Sequence, residues 1–186
     1  MAGFPVSRTQ RVFEDFLEAY PDYWAMFVFD RTGKVLAGGN AKGTDLTGAD
    51  RAGRNYVQAI VEGADTFVTP TVLKSKSGGG IHILGAAAAV KDTSGSNMGG
   101  VAVFPKWDIF TERFIDPITI GETGYAFVFN SKGRLMAHSR DRDLVLEDLG
   151  DLGFVREALE KKDGFVDYLW EGREKIMGVT REERTG

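Results

Sequence analysis

Phe27-Val-Phe-Asp-Arg-Thr-Gly-Lys-Val-Leu-Ala37 and Phe127-Val-Phe-Asn-Ser-Lys-Gly-Arg-Leu-Met-Ala137 are one stretch of sequence met twice, 100 positions apart. Phe, Val, Phe, Gly and Ala recur in the same places, while Asp30 matches Asn130, Lys34 matches Arg134 and Leu36 matches Met136. Each copy reads as an apolar β-rich run, a turn with a fixed Gly, and a second run, which is a hairpin. A shift of 98 carries the agreement further: Tyr56-Val57 meets Phe154-Val155, and Phe67-Val68 meets Phe165-Val166. Shared β-propensity alone does not produce this order, so the chain reads as two copies of one α+β module.

Around the first copy, Ser7 and Gln10 have the spacing of a capping box. Phe13, Phe16, Leu17 and Tyr20 then share one helical face, and Pro21 stops the helix, which is expected over 7–20. Trp24–Phe29 and Lys34–Ala37 are the hairpin strands, and Gly38–Gly53 is expected as a loop. Arg54–Glu62 is a short helix closed by Gly63. Phe67–Leu73 is a strand interrupted at Pro70, Gly78–Gly80 a turn, Ile81–Val90 a long strand and Gly99–Phe104 the last one. In the second copy a hairpin at 124–138 precedes a helix near 152–161 and strands at 164–170 and 173–180. Nothing there corresponds to Gly99–Phe104. A sheet lacking a strand has an unpaired edge, so the natural protein is expected to continue past Gly186. The expected division is an N-terminal helix (1–22), a first module (23–105), a linker (106–120) and a second, truncated module (121–186).

The 186 residues fit one or two small domains. Charged residues make up 27% and hydrophobic ones 42%, the composition of a globular protein. Lys and Arg total 23 against 27 Asp and Glu, a net charge of −4 that excludes a generally cationic nucleic-acid binder. Without cysteine there is no disulfide scaffold or Cys-based zinc site, and two histidines, His82 and His138, do not make a multi-His metal centre. No run of 18 uncharged apolar residues and no signal-peptide pattern is present. Gly38-Gly39 and Gly78–Gly80 match neither a dinucleotide fingerprint nor a P-loop. Asp45, Asp50 and Asp65 lie where turns and caps account for them. His138 stands near Asp141 and Asp143, but the alternating Arg and Asp of 139–143 are expected to pair among themselves. No enzyme activity, cofactor or metal is expected.

The residues that suggest a ligand lie in the first module. Arg54 opens a short helix and carries a planar fork suited to a carboxylate, with the helix N-terminus beside it. Tyr56 adds a hydroxyl on an aromatic face. Lys74 and His82 flank the Gly78–Gly80 turn. The bland reading of Arg54 and Lys74 is solvated surface charge, and that of Tyr56 is core. Gly85–Ala89 leaves room above the sheet, for packing before binding. Phe104 and Trp107 are apolar cover for a ligand or plain core. Tyr168 and Trp170 share a strand face in the second module, where core packing is the plainer role.

Taken together, Phe27-Val-Phe-Asp30, Gly33-Lys-Val-Leu36, Arg54-Asn-Tyr56, Thr69–Ser75, Ile81–Val90 and Gly99–Val103, then Ile120–Asn130, Gly133–His138 and Lys162–Tyr168, resemble the double Cache sensor domain of bacterial transmembrane receptors. Methyl-accepting chemotaxis proteins are the nearest match in kind. The resemblance implies two tandem PAS-like modules with antiparallel sheets behind a long N-terminal helix, with the membrane-distal module holding the ligand. It implies a periplasmic sensor of an inner-membrane receptor, homodimeric when intact, joined to the membrane by flanking helices absent from this sequence. A histidine-kinase sensor, a secreted solute-binding protein and an intracellular PAS- or GAF-like regulator are the alternatives. The family's amino-acid-sensing branch has Trp where this chain has Tyr56, an aromatic residue at Val57, and acidic residues for the ligand ammonium near Thr71, Leu73 and Phe104. A buried ammonium without an anion is costly. The expected ligand is therefore a small organic anion rather than an amino acid, at Arg54, Tyr56, Thr71, Lys74, His82 and Phe104.

Overall fold

A computed structural model describes residues 5–75 and 80–183. The protein is α+β with antiparallel strands, in two compact units, Met1–Ile109 and Phe110–Gly186.

Unit 1 contains, in chain order, α1 (Val6–Ala19), β1 (Tyr23–Asp30), β2 (Val35–Asn40), α2 (Asn55–Val61), β3 (Thr66–Val68), β4 (Leu73–Lys74), β5 (His82–Ile83), β6 (Ala86–Lys91) and β7 (Asn97–Pro105). Its main sheet has the order β2-β1-β7-β6-β3, and β4 pairs with β5 beside it. The turn between β1 and β2 is set by Asp30, whose carboxylate accepts from the backbone N–H of Thr32 (2.8 Å) and of Lys34 (3.1 Å). Side chains alternate across β1. Phe27 and Phe29 enter a core with Tyr56, Val57 and Ile60 of α2 and with Ala102 and Phe104 of β7. Val28 faces the other way, against Phe13 of α1. Gly99 and Gly100 let β7 lie this close to β1. A Cβ on Gly99 (φ +129°) would stand 2.0 Å from the Phe29 carbonyl oxygen, and one on Gly100 2.6 Å from the Phe29 ring.

Helix α3 (Trp107–Phe114) carries the chain into unit 2, through residues expected as a linker. There follow β8 (Thr119–Ile120), β9 (Gly124–Tyr125), β10 (Phe127–Phe129), β11 (Leu135–His138), a 3-10 turn at Arg142–Leu144, α4 (Gly153–Lys161), β12 (Asp163–Trp170) and β13 (Arg173–Thr180). The hairpin of unit 1 is reproduced in detail. Asn130 Oδ1 accepts from Lys132 N (3.0 Å) and Arg134 N (3.1 Å) as Asp30 does. The register breaks between Val128 and Phe129 as it does between Val28 and Phe29. The backbone of Lys34 makes an isolated antiparallel pairing with Asp50, and that of Arg134 makes the same pairing with Asp148. Among the described residues, the strands of unit 2 pair two by two, as β8-β9, β10-β11 and β12-β13.

Several sequence expectations give way to tertiary contacts. Helix α1 starts at Val6 behind Pro5 with no side-chain cap, so Ser7 and Gln10 form no capping box. The Gln10 amide is used elsewhere: its Oε1 accepts from Gly38 N (2.6 Å) and its Nε2 donates to Glu14 (2.9 Å). Gly38 and Gly39, expected in a loop, belong to β2. A Cβ on Gly38 (φ +144°) would meet that of Phe27 at 2.3 Å, so only glycine fits there. The strand expected over Phe67–Leu73 is split at Pro70 into β3 and β4. The one over Ile81–Val90 is split at Gly85, whose N–H donates to Thr69 Oγ1 (3.0 Å). Gly78 and Gly79 of the expected turn lie outside the described residues.

Candidate functional site

Between β1, α2 and the β4–β5 pair of unit 1 lies a cavity of about 40 Å³. Its apolar side is aromatic. The rings of Phe27 and Phe104 stack at 5.3 Å, and Tyr56 meets Phe104 edge-on at 5.3 Å. Trp24, Leu46 and Ile83 extend this surface. Its polar side is cationic, with Arg51 and Arg54 before α2 and Lys74 on β4, and Ser75 lies beside Lys74. No carboxylate side chain stands among the described residues that line it.

Each cation is positioned by a local feature. Arg54 is the extended residue (ψ 134°) on which α2 begins, and its carbonyl accepts from Val57 N (3.0 Å) and Gln58 N (2.9 Å). Its guanidinium has no hydrogen-bond or ion-pair partner among the described residues. The same holds for the Lys74 ammonium, which is carried on a strand paired with His82. Arg51 is held by its own backbone, whose N–H donates to Gly33 O (2.9 Å), and its side chain donates to the Asp50 carbonyl (3.0 Å). Burial pushes the Tyr56 phenol above its usual range, and the charges of Arg54 and Arg51 oppose that shift. With seven residues α2 is short. The anion-binding capacity therefore rests on these side chains and not on a helix terminus.

Of the six residues expected at a site, Arg54, Tyr56, Lys74 and Phe104 line this cavity. Thr71 and His82 do not. The Thr71 hydroxyl is buried and without a hydrogen-bond partner among the described residues. His82 turns to the start of α3, with Nδ1 3.3 Å from Asp108 Oδ1. Sequence reasoning missed Arg51, Ser75 and Trp24. A second arginine three residues ahead of Arg54 was a usable signal for the first, but the inward direction of Trp24 depends on strand register.

In unit 2, His138 Nδ1 accepts from Asp141 N (2.8 Å), which makes it a turn acceptor. Burial leads in lowering its pKa, with Asp141 opposing. The alternating charges of 139–143 do not pair among themselves. Arg142 reaches back to Glu112 (3.1 Å) and Asp116 (2.5 Å), because the 3-10 turn directs its fork towards α3 and the residues just after it. Phe154 stacks on Tyr168 at 4.4 Å and meets Trp170 edge-on at 5.8 Å, so these rings pack together. No group of three His, Asp or Glu side chains among the described residues is placed to hold a metal ion. No described helix is long and apolar enough to cross a membrane.

Comparison with known proteins places the chain in a family. Residues 89–185 match the model of the Cache 3/Cache 2 fusion domain. No curated protein matches the chain. Among solved structures, the extracellular domain of rpHK1S-Z16, described as a histidine kinase, superposes with a TM-score of 0.77 at 17% identity, over 98% of this chain and 75% of that one. The corresponding domain of mmHK1S-Z2 gives 0.76 at 14%, over 92% and 75%. The ligand-binding domain of the Campylobacter jejuni chemoreceptor Tlp3, solved with 4-methylisoleucine, gives 0.70 at 16% identity. That match covers 92% of this chain and 65% of that one, just under two thirds of its length. The same Tlp3 domain has been solved with L-norvaline and with isoleucine. With more than half of its length matched by the family model, the chain belongs to the Cache 3/Cache 2 fusion domain family, and it is a Cache sensor domain.

Proposed function

We propose that this chain is the extracytoplasmic sensing region of a bacterial membrane receptor, and that it binds a small organic anion in the cavity of unit 1. In this reading the two units are the tandem modules expected from the sequence, with unit 1 distal to the membrane. The receptor is a chemoreceptor of the methyl-accepting type, or a histidine kinase with the same sensor. It works as a homodimer whose flanking helices cross the inner membrane.

The observation that carries the ligand class is the charge of the cavity: three cations, two of them without hydrogen-bond or ion-pair partners among the described residues, and no carboxylate among the described residues that line it. An anion supplies the missing partner, and the Arg54 fork suits a carboxylate in particular. Volume limits its size. At about 40 Å³ the cavity is small, which favours a short ligand over a long one. Short carboxylates such as acetate and propionate are the expected class, with the tail against Phe27 and Phe104. The second reading, an amino acid, is favoured by the isoleucine and norvaline bound by Tlp3. In this cavity the ammonium of such a ligand would lack an anionic partner.

Signalling then follows from differential affinity. Ligand shifts the receptor only so far as it binds one arrangement more tightly than another. A thermal-shift screen of the purified chain against acetate, propionate, lactate and succinate, with isoleucine and norvaline alongside, tests the ligand class. A ligand at ~100 times its Kd adds about 2.7 kcal/mol to the stability of the unit that binds it. Shifts with short carboxylates alone are the expected result, and shifts confined to the amino acids contradict the anion reading.

A further inference from the structure

The first hairpin of unit 2 departs from its copy in unit 1 on the face that turns inward. Phe127 pairs with His138 where Phe27 pairs with Gly38, and Tyr125 stands where unit 1 has Ala25. In unit 1 the strand pair leaves no room for a side chain at this point, since a Cβ on Gly38 would meet that of Phe27 at 2.3 Å. In unit 2 both positions hold polar aromatic residues, and their rings lie 4.8 Å apart. The β12–β13 hairpin breaks its own pattern beside them. Val166, Tyr168, Met177 and Val179 pack inward with Phe127 and Phe129. Lys175 pairs with Tyr168 and shares that inward face, where its neighbours along β13 are apolar.

Two cations and a histidine meet at the Tyr125 ring. Lys175 Nζ lies 5.2 Å from the ring centre and donates to the Tyr125 hydroxyl (3.3 Å). The Arg140 guanidinium lies 5.4 Å from the same centre and donates to the Gly124 carbonyl (3.4 Å). Neither cation has an ion-pair partner among the described residues. His138 Nδ1 accepts from Asp141 N, so Nε2 carries the proton of the neutral ring and is left to donate. Burial leads in holding the His138 pKa down, Asp141 opposes it, and Arg140 and Lys175 add to it. The Asp141 carboxylate itself accepts from Asp143 N (3.1 Å), as the cap of the 3-10 turn.

We propose that unit 2 carries an anion site of its own, between the β10–β11 and β12–β13 hairpins, where Lys175, Arg140, His138 and Tyr125 receive a compact, doubly charged oxyanion. The charge sets the class. With His138 neutral, Arg140 and Lys175 supply two positive charges that repel each other, and a dianion neutralises both. The donors match as well. An ammonium, a guanidinium fork, an imidazole N–H and a phenol whose oxygen already accepts from Lys175 all have hydrogens to give, and an oxyanion accepts them all. The stacked rings of Phe154 and Tyr168 (4.4 Å) fill the apolar space alongside, which favours phosphate or a very short dicarboxylate over a ligand with a hydrocarbon tail.

The two histidines of the chain, His82 in unit 1 and His138 in unit 2, report on the two units separately. The Arg54→Ala variant, in which the unit 1 cavity is disabled, is titrated with phosphate in exchange for chloride at constant ionic strength. NMR signals of the histidine rings are the readout. The His138 signals are expected to shift saturably and its pKa to rise, because a bound anion favours the imidazolium. Malonate in a parallel titration separates a dicarboxylate from phosphate, and either one supports the site. Arg140→Gln and Lys175→Gln should each weaken binding by about tenfold or more. His138 signals that move no further with either dianion than with chloride overturn the proposal, as do shifts confined to His82. Undiminished affinity in both variants overturns it too, and equal binding of acetate overturns the doubly charged class.

Discussion

Arg54→Ala is expected to abolish measurable carboxylate binding while leaving the Tm of the free protein nearly unchanged. The guanidinium has no hydrogen-bond or ion-pair partner among the described residues, and the α2 start is held by the Arg54 carbonyl, which alanine keeps. What disappears is a charged, two-pronged donor set, worth about 2–4 kcal/mol, or roughly 30- to 700-fold in affinity. Arg54→Lys keeps the charge and loses the fork, so its affinity should fall between the two. Calorimetric titration with propionate makes the measurement. Undiminished affinity in Arg54→Ala would remove this residue from the site.

The other large effect concerns stability, and the repeat provides its own control. Phe29→Ala removes a ring that is 1% exposed in the unit 1 core, and is expected to cost about 3–5 kcal/mol. Against a total of about 5–15 kcal/mol for a domain, that is enough to unfold much of unit 1. Phe129→Ala removes the same side chain from the same place in the copy. There the ring is only partly buried, and the loss should be roughly half as large. Urea unfolding of both variants compares them directly. Equal losses would mean that the two rings are equally covered, against the partial burial of Phe129.

The fold was legible where short-range chemistry determines it. The Asp30 and Asn130 turns, each with its glycine three residues on, fix both hairpins by local hydrogen bonds, and the hairpin expected twice is present in both units. The helix around Phe13 and Leu17 follows from periodicity in the same way. What escaped was decided by distant groups. Gln10 left its expected cap for Gly38, far along the chain, and the long strand was broken at Gly85 by Thr69. The candidate site divides along the same line. Arg54 and Tyr56 stand out through their place at a helix start. Trp24 and Ser75 converge on them only through the register of β1 and the β4–β5 pair. His82 was expected beside Lys74, and it is opposite Lys74 in that pair, but its ring turns towards Asp108.

The central claim is that an anion occupies the cationic cavity of unit 1. A crystal structure of the domain grown with propionate tests it most directly. The account predicts the carboxylate within hydrogen-bond reach of the Arg54 guanidinium, with its tail against Phe27 and Phe104. Propionate bound elsewhere, or a cavity that remains empty at saturating propionate, would contradict it.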